Sequence, residues 1–281
     1  MCGIVGIINS KGSIKNSLIK NQGISMLKKI NHRGPDESKF ILGRNHFFGS
    51  VRLSIEAISF SSQPFENNEI ICGFNGEIFN YKNLIKSFFS KNKIKSEIEL
   101  IANLWKLKKK KITEYIKGQY AIFIYDKSKE KTYLFRDHYG IRPLFYFLDN
   151  KNNFFFSSEI KSIVSANRNI KFKINQNSIS NISAFWTNIG TNTSIENIHL
   201  LEPGCVLELF KGKINVKKFK KEFLFNNKYD HKITSKDLYD NFVKAVKNQM
   251  QSEVGYATYL SGGIDSSSLA YVLSKFSKKK L

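Results

Sequence analysis

Met1-Cys2-Gly3-Ile4-Val5-Gly6-Ile7-Ile8 opens the chain and carries two readings at once. Residues 4–8 are an apolar, β-branched run flanked by small residues, the pattern of a buried strand. The residue just ahead of that strand is a cysteine, one step from the start. Removal of Met1 would leave Cys2 with a free α-amine beside its thiol. An α-amine titrates near about 8 and a free thiol near about 8.5, so part of the amine is unprotonated at neutral pH and can take the thiol proton. Nucleophile and base then sit on one residue. The run turns polar at Asn9, Ser10 and Lys11, too soon for a signal peptide.

Working outward, residues 39–42, 70–74, 121–125, 132–135, 144–147 and 154–157 are further short apolar or aromatic-rich runs near turn residues, each read as a strand. Ile98, Ile101, Ala102 and Trp105 fall at i, i+3, i+4 and i+7, one face of a helix, and residues 15–30 and 159–166 are read as helices too. The result is a mixed, layered α and β domain. A second unit starts after the basic, polar stretch 217–232. Thr234 or Ser235 can cap a helix to about Gln251 that puts Leu238, Phe242, Ala245 and Val246 on one face. A strand over 256–260, a Gly-rich loop and an apolar helix from about Ser266 would be the first piece of a parallel nucleotide-binding sheet. The expected division is 1–216, a linker over 217–233, and 234–281.

Composition narrows the class. With 281 residues, 41% of them apolar, the chain can build a real core, and no run approaches the roughly 18 to 20 apolar residues of a membrane span. Three cysteines are too few and too sparse for a disulfide framework, so reduced thiols and a cytoplasmic setting are expected. Cys72 and Cys205 stand in apolar strand-like surroundings and read as buried small hydrophobes. The net charge of +22 invites a nucleic-acid partner. Only six of the 45 basic residues are Arg, however, and apart from 108–111 and 278–280 they are scattered. That favours a solvated Lys surface with no nucleic-acid partner.

Several segments then occur in a set order: Met1-Cys2-Gly3-Ile4-Val5-Gly6-Ile7, His32-Arg33-Gly34-Pro35-Asp36, Arg52-Leu53-Ser54-Ile55, Gln63-Pro64, Asn75-Gly76-Glu77-Ile78-Phe79-Asn80 and Arg136-Asp137-His138-Tyr139-Gly140-Ile141-Arg142-Pro143-Leu144. Together they resemble the N-terminal-nucleophile (class II) glutamine amidotransferase family. Ser157-Ser158-Glu159-Ile160-Lys161 and Pro203-Gly204 extend the resemblance toward glutamine-hydrolysing asparagine synthetases. It implies an α+β fold, a four-layer α/β/β/α sandwich, with Cys2 as nucleophile. Attack on a side-chain amide creates an oxyanion, and the resemblance gives its donors as the Asn75 side chain and the Gly76 N–H. Asn75-Gly76 is also a strong hairpin signal, so a turn carrying the oxyanion donors is expected. Arg52 would hold the substrate α-carboxylate with a planar fork. Leu53, Ser54, Ile55, Glu56 and Glu77 complete the implied glutamine site. For the α-ammonium the family has Ser-Asp, a small residue and Glu, whereas this chain reads Ser96-Glu97-Ile98-Glu99, so Glu97 keeps the charge on a longer arm. His32 and His138 are read as structural; for Arg136 and Arg142, buried ion pairs and substrate contact both stay open.

Leu260-Ser261-Gly262-Gly263-Ile264-Asp265-Ser266-Ser267 resembles the pyrophosphate loop of enzymes that adenylate their substrates. Leu260, Ser261, Gly262, Gly263, Asp265 and Ser266 would bind ATP, brought with Mg2+, through backbone N–H groups, hydroxyls and a helix N-terminus. No residues of this chain are assigned as a metal site. The resemblance implies that ammonia from glutamine passes to an aspartyl adenylate, giving asparagine, AMP and pyrophosphate. Glutamine, aspartate and ATP would be the small-molecule partners, and a homodimer and a downstream polypeptide are further expected partners. The chain stops one helix past the loop, about two hundred residues short of a full synthetase domain. An acceptor other than aspartate, a sugar or a peptide, and a non-catalytic basic remnant are the competing readings.

Overall fold

The computed structural model describes residues 2–10, 12, 15–55, 62–89, 94–219 and 233–277. Its first strand, β1 (Gly3–Asn9), shows why the opening run is apolar on both sides. Ile4 faces one core, while Val5 and Ile7 face another, so the strand is covered above and below. Its neighbours are β3 (His46–Arg52) and β9 (Asn153–Ser157), both antiparallel. With β2 (Glu37–Leu42), β8 (Phe145–Leu148) and β10 (Ile198–Leu200) they form one sheet in the order β10-β8-β9-β1-β3-β2. The second sheet runs β12-β11-β7-β6-β5-β4. It comprises β4 (Phe65–Glu66), β5 (Ile70–Ile78), β6 (Gly118–Asp126), β7 (Lys131–Arg136), β11 (Cys205–Phe210) and β12 (Lys213–Lys218).

Three apolar cores separate four layers. Between the sheets, Ile4, Phe48, Phe123, Leu134, Phe156 and Leu207 interdigitate, and Phe48 stacks on Phe123 with ring centroids 5.1 Å apart. Outside the first sheet lie α1 (Asn16–Ile30) and α4 (Ile160–Ala166), where Ile19, Met26, Leu27 and Ile30 meet Phe47 and Ile163. Outside the second sheet lie α2 (Tyr81–Phe88) and α3 (Glu97–Lys108), with Trp105 buried against Tyr133 and Phe135. The order is therefore α/β/β/α, as the resemblance implied. Helix α3 starts where it does because the Ser96 side chain accepts from the Glu99 N–H, while Glu99 Oε2 accepts from the Lys95 N–H at 2.9 Å. One more helix, α5 (Gln176–Phe185), is capped by Asn175 and leaves only Ser178 of its residues buried.

The second unit departs from expectation. Helix α6 (Ser235–Gln249) forms with a Thr234/Asp237 capping box. Residues 256–260, read as a strand, are not one: among the described residues no strand pairs their backbone, and Tyr259 and Leu260 are 97% and 66% exposed. Helix α7 (Ile264–Phe276) begins two residues before the expected Ser266, with Gly263 as N-cap. Val272 and Leu273 of α7 pack on Val246 of α6 and make a small core of their own. No described helix is long and apolar enough to cross a membrane.

Candidate active site

Cys2 sits just ahead of β1, half-buried, its Sγ 3.7 Å from the Leu53 carbonyl oxygen. The main chain around it is held from the side. Arg33 Nε donates to the Cys2 carbonyl at 3.0 Å, and Arg33 itself is anchored by Glu159 Oε1 at 3.0 Å. His32 and Lys161 also donate to Glu159, at 2.9 and 3.0 Å. Partial burial pushes the Glu159 carboxyl up, but the hydrogen bonds from Lys161, Arg33 and His32 outweigh it and hold it below the usual carboxylate range. His32 thus belongs to the support of Cys2. His138 packs edge-on against Phe219 and is not part of the cleft wall.

The cleft beside Cys2 is walled by Arg52, Leu53, Ile55, Gln63, Phe74, Asn75, Gly76, Glu77, Glu97, Arg142 and Gln251. Arg52 ends β3, and the His32–Asp36 segment turns against it: a Cβ on Gly34 would lie 2.4 Å from the Arg52 nitrogen, so only glycine allows the approach. Asp36 Oδ2 then accepts from the Ser54 N–H at 2.7 Å, which fixes the 53–55 segment. Ser54 is thereby a positioning residue behind the wall formed by Leu53 and Ile55. Glu56 lies outside the described residues.

Asn75 and Gly76 are not in a turn. They lie inside β5, opposite Ala121 and Tyr120 of β6, and the continuous ladder from Ile70 to Ile78 overrides the local turn preference. Glycine is needed at 76 for a different reason: a Cβ there would sit 2.0 Å from the Gln119 carbonyl oxygen. Asn75 is 1% exposed, and both its amide nitrogen and its amide oxygen lack partners among the described residues. Gln63 Oε1 accepts from the Phe74 N–H at 2.8 Å, steadying the strand just before them.

Glu97 is the first residue of α3, and its Oε1 accepts from the Ile78 N–H at 2.6 Å at the end of β5. Glu77 faces Arg142, whose Nη2 is 4.0 Å away. Burial lowers the Arg142 guanidinium pKa, and neighbouring Glu77 opposes that shift. Arg136 is structural: its three nitrogens donate to the carbonyls of Arg142, Leu201 and Gly140 at 3.0, 2.6 and 2.6 Å. Asp137, fully buried, accepts from the N–H groups of Tyr120, Tyr139, Ile141 and Arg142. The segment 136–142 is thus a knot that aims Arg142 at the cleft. Burial pushes the Cys72 and Cys205 thiols up, leaving Cys2 as the half-buried cysteine.

Comparison with known proteins follows this geometry. The family model described as glutamine amidotransferase domain matches residues 1–220. The chain belongs to that family. A second family model, described as asparagine synthase, matches residues 237–281. Asparagine synthetase (glutamine-hydrolyzing) 2 of Bacillus subtilis is 32% identical, over 96% of this chain and 38% of that one. Putative asparagine synthetase (glutamine-hydrolyzing) 2 of Methanocaldococcus jannaschii is 30% identical, over 98% and 57%. Asparagine synthetase B (glutamine-hydrolyzing) of Escherichia coli is 25% identical, over 100% and 46%. The chain therefore spans roughly two to three fifths of these relatives' lengths. Glutamine phosphoribosylpyrophosphate amidotransferase from B. subtilis, complexed with ADP and GMP, has a similar fold, with a TM-score of 0.56 at 18% identity over 79% of this chain and 50% of that one.

Of the residues singled out from the sequence, Cys2, Arg52, Leu53, Ile55, Asn75, Gly76, Glu77 and Glu97 are brought together around one cleft. Gln63 and Phe74 had no role assigned, although Gln63-Pro64 was visible as a motif. Gln251 carries no local signal at all, because it reaches the cleft from beyond the 217–233 stretch. The Gly-rich loop stands elsewhere, exposed: Ser261 and Ser266 hydroxyls are 3.0 Å apart, and Ser266 Oγ donates to the Gly263 carbonyl at 3.1 Å. Gly262 has φ +84° and open space around it.

Proposed function

We propose that this chain hydrolyses glutamine at Cys2 and is the ammonia-donating portion of a glutamine-dependent asparagine synthetase. The observation that carries this is Asn75, a buried side-chain amide with both polar ends unpartnered, in the wall beside a half-buried terminal cysteine. A buried amide without partners is disfavoured, so its persistence suits a site where a charge arrives during reaction.

In this reading Arg52 takes the α-carboxylate of glutamine, and Glu97 the α-ammonium, with Glu77 beside it. The α-amine of Cys2 takes the thiol proton and Sγ attacks the side-chain carbonyl carbon. The oxygen becomes negative and is met by Asn75 Nδ2–H and the Gly76 N–H, groups already in place before reaction. Collapse breaks the C–N bond and the α-ammonium returns its proton to the leaving nitrogen, giving ammonia and a thioester. Water, deprotonated by the same amine, then frees glutamate.

The second unit supports the synthetase assignment. The open loop around Gly262 and Gly263 and the exposed N-terminus of α7 suit a phosphate chain, with Ser261, Asp265, Ser266 and Leu260 as the residues around ATP and its Mg2+. ATP supplies the activation of an acceptor carboxylate, aspartate in this reading. A sugar or peptide acceptor remains the alternative, since the acceptor-binding residues are not among those described. The setting we propose is the cytoplasm, where thiols stay reduced.

The test is chemical. Mass spectrometry should find Met1 removed, and a glutamine-mimicking electrophile should label Cys2 while sparing Cys72 and Cys205. An active preparation that keeps Met1 would rule out the amine as base. Pyrophosphate release from ATP with aspartate, assayed on the chain joined to the remaining length of its relatives, tests the acceptor.

A further inference from the structure

One stretch of the cleft wall comes from the second unit. Gln251, two residues past α6, lines the cleft together with Cys2, Asn75, Glu77 and Glu97. Its segment is clasped there by two cross-contacts: Gln251 Nε2 donates to the Phe79 carbonyl, and the Glu253 N–H donates to the Ile55 carbonyl at 3.0 Å. Nε2 donates to the Asn248 carbonyl as well, at 2.9 Å. Two carbonyls on the same end of the amide settle which end is nitrogen, because an oxygen placed there would face acceptors only. The other end, Oε1, is buried and has no hydrogen-bond partner among the described residues. Phe79 directly follows Ile78, whose N–H is held by Glu97. Glu97 and Gln251 therefore converge on adjacent residues at the end of β5, just beyond Asn75 and Gly76.

A buried acceptor without a donor is disfavoured unless a bound molecule supplies one. The α-ammonium of an amino acid brings three N–H donors, more than a single carboxylate already accepting from the Ile78 N–H takes up. We propose that Gln251 is a substrate-binding residue, its Oε1 accepting from the α-ammonium of glutamine alongside Glu97. The inference rests on the cleft being the glutamine site. It means that affinity for glutamine depends on the second unit being docked: withdrawing residues 251–253 removes an acceptor while Cys2, Asn75 and Gly76 stay in place.

The test uses the full chain, two variants and two substrates. Gln251→Met keeps the length and loses both the acceptor and the donor to Phe79 and Asn248, whereas Gln251→Glu keeps an acceptor and loses only the donor. Glutamine is compared with glutaramate, which has the same reacting amide and no amino group. Gln251→Met should raise KM for glutamine about tenfold, with kcat held within about twofold, the loss expected for one hydrogen bond to a charged group. The rise should be confined to glutamine and absent with glutaramate, and Gln251→Glu should bind glutamine better than Gln251→Met. An unchanged KM in Gln251→Met overturns the proposal. Equal shifts with both substrates, or a Gln251→Glu variant as impaired as Gln251→Met, overturn it too and leave only the clasp on Phe79. If the wild-type chain releases no ammonia and forms no adduct at Cys2, the glutaminase reading itself falls, and this inference with it.

Discussion

Glu97 illustrates how a single methylene changes the local argument. The family pattern has the shorter Asp, yet here the carboxylate sits 2.6 Å from the Ile78 N–H, reached from the first turn of α3. An Asp on the same backbone would fall about 1.5 Å short, one C–C bond length. Glu97→Asp should therefore raise KM for glutamine rather than lower it, and Glu97→Gln should raise KM more than it lowers kcat, because it removes binding common to ground and transition states. Steady-state kinetics on both variants checks this; an Asp variant that outperforms wild type would show the longer arm to be a compromise. Asn75→Ala should behave oppositely, lowering kcat by on the order of 100- to 1,000-fold with little change in KM, since the donor acts on charge that appears only in the transition state. Cys2→Ala should abolish ammonia release altogether. Residues of this kind could be singled out from the sequence because the proposed chemistry demands a type: a thiol beside an α-amine, a fork for a carboxylate, a neutral amide donor. Arg142 was only half legible, since its motif was visible but the Asp137 knot that aims it is made of main-chain bonds.

Strands and helices were read where a local period announced them. Residues 4–8, 70–74 and 121–125 are cores of longer strands, and the helix on Ile98, Ile101, Ala102 and Trp105 extends to Glu97–Lys108. β3 went unread because Gly49 and Ser50 interrupt its apolar run, and its place is set by pairing with β1 and β2. Asn75-Gly76 was read as a turn because a two-residue signal cannot register the ladder on both sides of it. That ladder makes a sharp prediction: Gly76→Ala should destabilise by about 1–3 kcal/mol or more, the range for forced overpacking, since the Cβ meets main chain rather than a mobile side chain. Denaturant unfolding measures it. His46, at the start of β3, packs on Phe48 and Tyr125, and burial lowers its pKa to about 4. Unfolded, it binds a proton near the ordinary 6.5, so between those values the unfolded state holds more protons. Stability from this residue is complete above about pH 6.5 and lost as pH falls toward about 4, by at most about 2–3 kcal/mol after allowance for its partial exposure. Melting curves of wild type and His46→Phe across that window should diverge by this amount, with the variant flatter.

For the molecule as a whole, the four layers could be anticipated from the motif order, but which strands neighbour which could not, because pairings such as β1 with β9 join residues about 150 apart. Residues 256–260 have a strand's composition but, among the described residues, no strand beside them, so that segment did not form as read. The basic stretch 217–232 is rich in Lys, so brief trypsin treatment should cut there and leave a resistant fragment close to residues 1–219. Separated from the second unit, that fragment should still release ammonia from glutamine, with a higher KM than the intact chain. Gel analysis paired with an ammonia assay decides both points; cleavage scattered through the three cores would contradict the layered architecture.

The pairing of β1 with β9 also sets a schedule. At roughly 5–20 residues per second of synthesis, the chain needs on the order of 10–30 seconds to extend from Cys2 to Ser157. Until then β1 lacks one of its two neighbours, and the Glu159–Arg33 brace on the Cys2 main chain cannot form. Throughout that interval Cys2 is without these contacts, so removal of Met1, which the proposed mechanism requires, meets less folded structure than it would later. On the proposed reading, the order of strands in the sheet gives removal of Met1 a head start over the contacts that bury Cys2.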